Sequence, residues 1–298
     1  MLKRLIKRGL DAALKPLGLE LVRPSLDFES RPTGHALEQM LKELATAFDS
    51  WCAKTQVWPL FSQSDTLDVV CRFYEAYLAS PFREQAGGSR FNNLLWLHLL
   101  ARVSRPTLII DSGTYRGASA WALASAAPGC PVLSFDLDLG PLRYHAAGVT
   151  YVQADWATHD LKGHDLSRAV AYFDDHVDQG LRLLQAADRG IERIVFDDDF
   201  PITSFAAMAH NGAALPKIEF LLDASLAAVN KLTWVSRGRN LHWPLDHDLM
   251  AHLRSKIAAT ERLPNTSLVT GVQQTPYRLV RTTGIDTSRA PAAPAGSI

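Results

Sequence analysis

Two acidic clusters stand where short apolar runs of the sequence end. FDDH occupies positions 173–176 and FDDDF occupies positions 196–200. Carboxylates held close together repel one another unless a cation or shared protons compensate their charge. A divalent metal is one such cation, and oxygen ligands suit Mg²⁺, Mn²⁺ or Ca²⁺ better than zinc. The clusters therefore indicate a divalent-cation site, provided that the chain brings the ends of the two runs together.

His176 adds an imidazole to the first cluster. It could remove a proton from a substrate hydroxyl, ligate the cation or orient a neighbouring acid. A structural alternative is that the acids cap the helices that follow them. FDDH precedes VDQGLRLL, and FDDDF precedes PITSFAAMA, in which Pro201 stands near a helix start.

Another candidate site follows the first apolar run. TLIIDSG leads into the turn DSGTYRG at 111–117. Gly113 would allow a tight turn and close approach of a ligand to the backbone, and Gly117 would let the next helix start close to the sheet. The loop fits a nucleoside-type cofactor. It lacks the third glycine of the dinucleotide fingerprint, which disfavours NAD.

Acids also end the second and third runs. Asp136 stands 23 positions after Gly113, about where a carboxylate would accept hydrogens from the hydroxyls of a ribose. Asp155, followed by Trp156, could accept an amine hydrogen beside a stacking face for adenine. A single acid in such a place is commonly a solvated turn or a helix cap. Five successive runs that each end in an acid are harder to explain in that way.

The elements that would position these residues follow from hydrophobic periodicity. Five apolar runs alternate with helical stretches: TLIIDSG, PVLSFDLD, VTYVQADW, AVAYFDDH and IERIVFDDDF. This alternation is typical of a parallel sheet with helices on both faces, in which ligands bind beyond the carboxyl ends of the strands. Helical stretches are predicted again near 218–232 and 245–260. Two closing runs, SLVTGV and PYRLVRT, are predicted strands that could pair as a hairpin.

From about residue 92 to residue 282 the chain resembles a class I S-adenosylmethionine-dependent methyltransferase. The resemblance rests on LIIDSGTYRGASAWALA, on the acids that end the next strands and on the final paired runs. It implies an α/β fold with a doubly wound seven-stranded sheet of order 3-2-1-4-5-7-6, strand 7 antiparallel, and an N-terminal helical extension. It also implies that Asp136 binds the ribose of S-adenosylmethionine and that Asp155 contacts its adenine. The residues implied for the methionine part are Asp111, Gly113, Tyr115 and Gly117.

The acidic clusters are similar in position to the metal ligands of metal-dependent O-methyltransferases of the catechol and macrolide-sugar types. The resemblance implies Asp174, Asp197 and Asp198 as metal ligands, with Mg²⁺ or another divalent cation as a second cofactor. It implies Asp174, His176 and Asp198 as catalytic residues. Asp175 departs from the pattern, because many relatives have glycine there. We therefore expect an enzyme that methylates a hydroxyl of a sugar, a glycan precursor or another small molecule.

This reading divides the chain into four segments. Residues 1–30 form a basic amphipathic leader, and residues 31–105 form the helical extension. Residues 106–282 form the Rossmann-like catalytic domain that binds S-adenosylmethionine. Residues 283–298, rich in Ala, Pro, Ser and Gly, form a disordered tail.

Composition narrows the choice of partners. The 298 residues are 47% hydrophobic, enough for a sizeable core, and 31 basic residues balance 31 acidic ones. No global basic field therefore draws the protein to nucleic acid or anionic membrane. Three scattered cysteines favour a reducing compartment, so we expect the cytoplasm. The sequence is compatible with a homo-oligomer.

The leader differs from this neutral average. Residues 1–24 hold six basic and two acidic side chains, a net charge of +4. Such a helix could lie on a membrane surface, dock on a partner or pack on its own domain.

Two other function classes stay open from the sequence. A nicotinamide-dependent oxidoreductase is disfavoured by the missing third glycine and by the lack of an obvious Tyr-x-x-x-Lys pair. A binding protein could keep the cofactor fold without turnover.

Several further residues are candidates for shaping the site. Arg90 with Gly87 and Gly88 could form a flexible cover over the cofactor, or an ordinary loop. A set between 201 and 264 could bind a sugar or pack a lid: Trp234, Arg237, Arg239, His242 and Trp243. His247 and His252 are five positions apart, not the four of a zinc pair on one helix face, so we expect a structural or surface role.

Overall fold

The computed structural model describes residues 27–61, 63–84, 88–204, 207–208 and 212–284. Most of the predicted basic leader and the tail from residue 285 onward lie outside the described residues. So does Gly87 of the predicted cover. None of the described helices is long and apolar enough to cross a membrane.

Three helices precede the sheet, as predicted for residues 31–105. They are α1 (Gly34–Cys52), α2 (Thr66–Ala79) and α3 (Phe91–Ser104). The first two bury one apolar face each, whereas almost every side chain of α3 is buried. Helix α3 is therefore the central element of this layer, which matches its run of leucines broken by few polar residues.

The five predicted parallel strands are present. They are β1 (Ile109–Ser112), β2 (Val132–Asp136), β3 (Val149–Gln153), β4 (Val170–Phe173) and β5 (Arg193–Phe196). Helix α4 (Ala118–Ala126) follows β1, and helix α5 (Gln179–Asp188) follows β4. The residues of β1, β4 and β5 are buried on both faces, which is why they read as continuous apolar runs.

The closing part of the chain differs from the prediction in one strand. PYRLVRT gives β9 (Arg278–Thr282), but SLVTGV gives the short helix α8 (Ser267–Thr270). Asn265 accepts the Ser267 N–H at 2.8 Å, a local turn contact that starts a helical turn instead of a strand. The partner of β9 is β8 (Ile257–Arg262). The helix predicted for residues 245–260 overlapped the first part of this strand.

The region between β5 and β8 is also less helical than predicted. Helix α6 (Ile218–Leu222) is short, and the residues from Lys231 form a separate antiparallel hairpin of β6 (Lys231–Ser236) and β7 (Arg239–Pro244). Its alternating burial is the period-two pattern of a half-buried strand. Helix α7 (His247–Ser255) then leads into β8, and the Asp246 side chain caps it by accepting the Leu249 N–H.

The main sheet has the strand order β3-β2-β1-β4-β5-β9-β8. Strands β1 to β5 pair in parallel, and β9 pairs antiparallel with β5. With β8 and β9 taking the places of strands 6 and 7, this is the predicted order 3-2-1-4-5-7-6 with an antiparallel last strand. The fold prediction is confirmed.

Alternate strand residues point to two separate cores. Val170 and Tyr172 of β4 join the core under α1 to α4, whereas Ala171 and Phe173 join the core under α5, α6 and α7. The five parallel strands therefore end at one edge, where the polar residues that follow them meet.

Candidate functional site

The loop after β1 is fixed by close backbone packing. Gly113 has φ of 107°, and a Cβ there would lie 2.6 Å from the Asp174 carbonyl oxygen. Gly117 has φ of 93°, and a Cβ there would lie 2.5 Å from the Tyr144 carbonyl oxygen. Both positions require glycine because the chain itself approaches them closely. The loop after β1 is thereby packed directly against the end of β4.

Asp111 is a buried support of this loop. Its side chain is fully buried, and the Ser134 hydroxyl donates to it at 2.5 Å. Burial raises its pKa to about 6, against hydrogen bonds that lower it. Asp111 therefore holds β1 to β2 from inside the sheet.

A cavity of about 370 Å³ opens beyond the ends of β1 to β4. Four predicted cofactor residues line it: Gly113, Tyr115, Asp136 and Asp155. Asp111 and Gly117 are not among its lining residues. The volume lies within the range of small-molecule sites. We call this space the deep cavity.

Asp136 presents two free acceptor positions in the deep cavity. Its Oδ2 accepts the Tyr115 N–H at 2.9 Å, and its Oδ1 accepts the Asp138 N–H at 3.2 Å. A carboxylate has about four lone-pair positions, so about one stays free on each oxygen. Two adjacent acceptors match the paired hydroxyls of a ribose.

Asp155 presents a single free position. Arg182 donates to both of its oxygens, at 2.9 and 3.1 Å, and the Ala157 N–H donates to Oδ1 at 2.9 Å. Burial alone would raise the pKa of Asp155, but the Arg182 guanidinium and the Ala157 amide lower it overall. About one lone pair stays available for a donor such as an amine.

The sequence analysis predicted no role for Arg182. It lies on α5 with its side chain 4% exposed, and its Nε also donates to Asp175 at 2.9 Å. Asp175 in turn accepts the Ser112 hydroxyl at 2.6 Å. Its position in the helical pattern could have indicated a buried role, because Arg182 is a charged residue on the apolar face that also holds Leu183 and Ala186.

A second cavity of about 320 Å³ adjoins the first. Gly88, Asp174 and His176 line both cavities. Apart from Gly88, every described residue that lines the second cavity has a polar or charged side chain, including Ser89, Arg90, Asn93, Gln273 and Thr275. We call it the polar cavity.

Asp174, His176 and Asp198 converge between the two cavities. One ligand atom from each lies within 4.8 Å of the others, a group of three that could hold a metal ion. The Nδ1 of His176 lies 3.8 Å from the Oδ2 of Asp198. The structure thus brings together the three residues predicted to be catalytic.

Asp197 and Asp199 are engaged elsewhere. Asp197, a predicted metal ligand, accepts the Tyr172 hydroxyl at 2.9 Å, the Thr275 hydroxyl and the Asp198 N–H at 2.6 Å. Asp199 is fully buried in an ion pair with Arg278 at 2.7 Å. Asp197 therefore lies outside the three-residue group, and His176 takes its place there.

The charge of this cluster is unbalanced. Burial raises the pKa of Asp174 well above its ordinary value, and the neighbouring carboxylates Asp197 and Asp198 raise it further. Burial also raises the pKa of Asp197 to about 7. Lys217, buried nearby, is the counter-charge that the sequence reading missed, and burial lowers its own pKa. The cluster therefore favours uptake of a proton or a cation.

The backbone is strained at the same place. Tyr115, His176 and Asp198 have positive φ of 43°, 55° and 55°. This conformation costs a non-glycine residue roughly 1–2 kcal/mol and persists only where the surroundings fix it. One such residue follows each of β1, β4 and β5. They are three of the six non-glycine residues with positive φ in the described part of the chain.

The helix-cap alternative applies only in part. Helix α5 is capped by Asp178, which accepts the Gly180 N–H at 2.7 Å, so Asp174 and Asp175 are free of that role. Asp155 does cap the short turn Trp156–Thr158, in addition to lining the deep cavity.

Two other candidate sets lie away from the site. The residues proposed for an acceptor lid lie on the hairpin β6–β7 and its turn, and none lines the deep or the polar cavity. Within the described part of the chain, His247 and His252 belong to no metal-binding group. Arg90, proposed for a cover, lines the polar cavity and pairs with Asp27 at 2.5 Å.

A larger cavity, about 880 Å³, lies at the opposite end of the strands. It is open to solvent, and two of its arginines are already engaged: Arg102 with Asp65 at 2.9 Å, and Arg168 with the Arg105 carbonyl at 3.0 Å. The deep and polar cavities are smaller but hold the converging, strained and charged groups. They are therefore the candidate site.

Sequence comparisons find no counterpart for this chain. No protein-family model matches it, and no curated protein matches its sequence.

Several solved structures are similar to the chain at low sequence identity. An O-methyltransferase of tomaymycin synthesis, TomG from Streptomyces achromogenes, in complex with S-adenosylmethionine, is 14% identical over 93% of this chain and 96% of its own, with a TM-score of 0.40. The SAH-bound Podospora anserina methyltransferase PaMTH1 is 13% identical over 81% and 96%, with a TM-score of 0.37. An O-methyltransferase from Bacillus cereus in complex with SAH is 12% identical over 81% and 99%, with a TM-score of 0.36.

The strand order of the chain's own sheet decides the fold. The chain has the class I methyltransferase fold. In that fold the candidate site lies at the carboxyl ends of the parallel strands, where the deep and polar cavities are found.

Proposed function

We propose that this protein is an S-adenosylmethionine-dependent O-methyltransferase that acts on a sugar or another polyhydroxylated small molecule. The observation that carries the proposal is the pattern of free acceptors in the deep cavity. Asp136 keeps two and Asp155 keeps one. This matches a ribose diol and an adenine amine on one nucleoside. Tyr115 and Gly113 line the same cavity, where the methionine part would lie.

The junction of the two cavities supports the transfer step. In methyl transfer a new C–O bond forms on the acceptor while the C–S bond of the sulfonium breaks, and the acceptor hydroxyl must give up its proton. His176 lines both cavities and would take that proton. Asp198, 3.8 Å from its Nδ1, would stabilise the imidazolium that forms.

As the alternative to proton transfer by His176, the same site fits a divalent cation, to which His176 would be a ligand instead of a base. Asp174, His176 and Asp198 would hold it, since their ligand atoms span no more than 4.8 Å. Carboxylates suit Mg²⁺ and Mn²⁺, and the imidazole extends the range to other transition metals. When bound, such a cation supplies a Lewis acid that lowers the pKa of an acceptor hydroxyl.

The lining of the polar cavity favours a hydroxyl-rich acceptor. Ser89, Asn93, Gln273 and Thr275 supply hydrogen-bonding side chains, and no apolar side chain of the described residues lines the cavity. Ser89, Asn93 and Thr275 already hydrogen-bond Tyr172, Thr275 and Asp197, respectively, which leaves Gln273 to pair with an acceptor. A sugar or polyol would supply a hydroxyl for that contact.

The first experiment is thermal unfolding of the purified protein with S-adenosylhomocysteine, S-adenosylmethionine, NAD and NADP. Each ligand is tested with Mn²⁺, with Mg²⁺ and with a chelator. A ligand at about 100 times its Kd adds about 2.7 kcal/mol to stability, a shift of several degrees. We expect shifts with the two S-adenosyl compounds that grow with the cation, followed by methyl transfer to sugars in a radiolabel assay.

Other outcomes would point to the other function classes. A shift with NAD or NADP alone would replace the proposal with an oxidoreductase. A shift with S-adenosylhomocysteine without transfer to any polyol or phenol would indicate a binding protein that keeps the fold.

A further inference from the structure

We infer that Arg182 is the positioning residue that sets the nucleobase specificity of the deep cavity. The inference rests on the proposed function, because it assumes that an adenine nucleoside occupies this cavity. The sequence pattern predicted no role for Arg182. The residue acts through Asp155 and Asp175, the two carboxylates that it binds.

The geometry ties three strand ends to one guanidinium. Both terminal nitrogens of Arg182 bind Asp155 after β3, at 2.9 and 3.1 Å, and its Nε binds Asp175 after β4 at 2.9 Å. Asp175 accepts the Ser112 hydroxyl at the end of β1 at 2.6 Å. The planar, bidentate fork leaves Asp155 a single orientation.

Burial makes this arrangement rigid. The Arg182 side chain is 4% exposed and Asp175 is 14% exposed, so removal of the guanidinium would leave Asp175 short of water and of a counter-charge. Asp155 is 35% exposed, so without Arg182 it would be free to reorient toward water. The side-chain oxygen of Gln185 also accepts a hydrogen bond from Nη1 of Arg182 at 2.8 Å, which further fixes the guanidinium.

The one free acceptor position on Asp155 would determine which nucleobase binds. With that carboxylate fixed, the cavity accepts an N–H donor and repels a carbonyl oxygen at the same place. An adenine presents an exocyclic amine there, whereas a hypoxanthine presents a 6-oxo group. Site groups left unpaired by the wrong ligand give strong discrimination, whereas loss of a merely steric fit gives little. Without Arg182, Asp155 could turn away, and the penalty against the oxo group would fall.

The test compares Kd values for S-adenosylhomocysteine and S-inosylhomocysteine by calorimetry. We expect the wild-type protein to prefer the adenine compound by roughly 30-fold, in the range of a hydrogen bond to a charged group. Arg182→Gln should weaken S-adenosylhomocysteine binding about tenfold and reduce the preference to within about threefold. Arg182→Lys keeps the charge but cannot hold both oxygens of Asp155, so we expect the preference to stay low there as well.

Arg189→Gln is the matched control. Arg189 lies just after the same helix and supports the same turn, donating to the carbonyls of His159 and Ala157, but it binds no carboxylate and does not line the deep cavity. Its replacement should lower the melting temperature and leave the adenine preference unchanged. Gln185→Ala serves if the Arg182 variants fail to fold, because it loosens Arg182 by one hydrogen bond and should reduce the preference partly.

The outcomes separate the two claims. If wild-type protein binds neither compound, the proposed function fails. If it binds S-adenosylhomocysteine but the Arg182 variants, or Gln185→Ala, keep the full preference, the proposed function survives and the role of Arg182 is wrong. Equal loss of preference in Arg189→Gln would also overturn it, since that result would reflect general loosening of the turn.

Discussion

The two halves of one sheet edge hold their carboxylates in opposite ways. On the cofactor side, beyond β2 and β3, Asp136 and Asp155 are held in place by backbone amides and, for Asp155, also by Arg182. On the acidic side, beyond β4 and β5, Asp174 and Asp198 face each other and His176 across less than 4.8 Å. The first half is ordered by its own hydrogen bonds, whereas the second is not.

The pKa values express the same difference. The pKa of Asp155 is lowered, because the Arg182 guanidinium and the Ala157 amide outweigh its partial burial. The pKa of Asp174 is raised by burial and by neighbouring carboxylates, and Lys217 is the nearby buried cation. A region suited to present fixed acceptors to the neutral nucleoside part of a ligand thus adjoins a region suited to take up a proton or a metal. Binding and chemistry should therefore be separable by mutation.

The largest expected effect is on turnover, from Asp174→Asn. This change removes a carboxylate from the junction of the two cavities while keeping its shape. We expect methyl transfer to fall by about 10³-fold, within the range for loss of acid–base or metal assistance. Affinity for S-adenosylhomocysteine should stay within about threefold, as measured by calorimetry.

Asp174→Asn should also leave the melting temperature equal to or higher than that of the wild type, because it relieves repulsion within the cluster. Asp178→Asn is a control, since Asp178 caps α5 four residues further on and lines neither the deep nor the polar cavity. It should keep turnover with little change in stability, because asparagine also caps a helix. Loss of both turnover and cofactor binding in Asp174→Asn would mean that the two halves are not independent.

The next effect is stabilisation by a divalent cation. Saturating Mn²⁺ or Mg²⁺ should raise the melting temperature by several degrees, since occupancy at about 100 times Kd adds about 2.7 kcal/mol. Asp198→Asn should abolish the shift, because Asp198 supplies one of three converging ligands. Asp246→Asn, which removes a carboxylate at the start of the distant α7, should retain it. An unchanged shift in Asp198→Asn would place the cation elsewhere.

The sheet was predictable from sequence because its signals are local. Each of β1, β4 and β5 is an apolar run buried on both faces, and each is followed by acids at the sheet edge. The strand predicted at SLVTGV was wrong. Its β-branched residues favour strands in general, but the Asn265 side chain accepts the Ser267 N–H and starts a helical turn, a local contact that residue propensities do not reveal. The IAATER strand was missed because its pattern is compatible with a helix end.

Only those site residues that directly follow a strand could be predicted from the sequence. Asp136, Asp155, Asp174, His176 and Asp198 were found because they directly follow strands. Arg182 and Lys217 were not, because their places at the site depend on how α5 and the segment before α6 pack across the sheet. Which aspartate of FDDDF joins the cluster was likewise set by long-range contacts, since Thr275 and Tyr172 draw Asp197 away.

A smaller effect is expected on the cofactor side from Asp136→Asn. The amide keeps one acceptor oxygen but replaces the other with a donor, so one ribose hydroxyl loses its partner. We expect the Kd for S-adenosylhomocysteine to rise roughly 10-fold to 30-fold, the usual cost of a hydrogen bond to a charged group. The affinity for the divalent cation should not change. If S-adenosylhomocysteine binds equally well, the ribose lies elsewhere.

The smallest effect is a pH dependence of stability that distinguishes the halves. In the folded state the pKa of Asp197 is raised to about 7, above its value in the unfolded chain. The folded acidic side therefore binds protons more tightly than the unfolded chain does, and its contribution to stability is lost as pH rises through about 7. Asp155 acts in reverse, because its lowered pKa adds stability above the unfolded value, and that stability is lost as pH falls through the folded pKa.

We therefore expect the melting temperature without metal to fall by a few degrees between about pH 5.5 and pH 8. Saturating Mn²⁺ should remove that fall, since a bound cation compensates the same charges that protons do at lower pH. Asp174→Asn should flatten it, whereas Asp246→Asn should leave it intact. A melting temperature that rises over this interval in the wild type would mean that the acidic side is already balanced within the fold, and Lys217 would then be the residue that balances it.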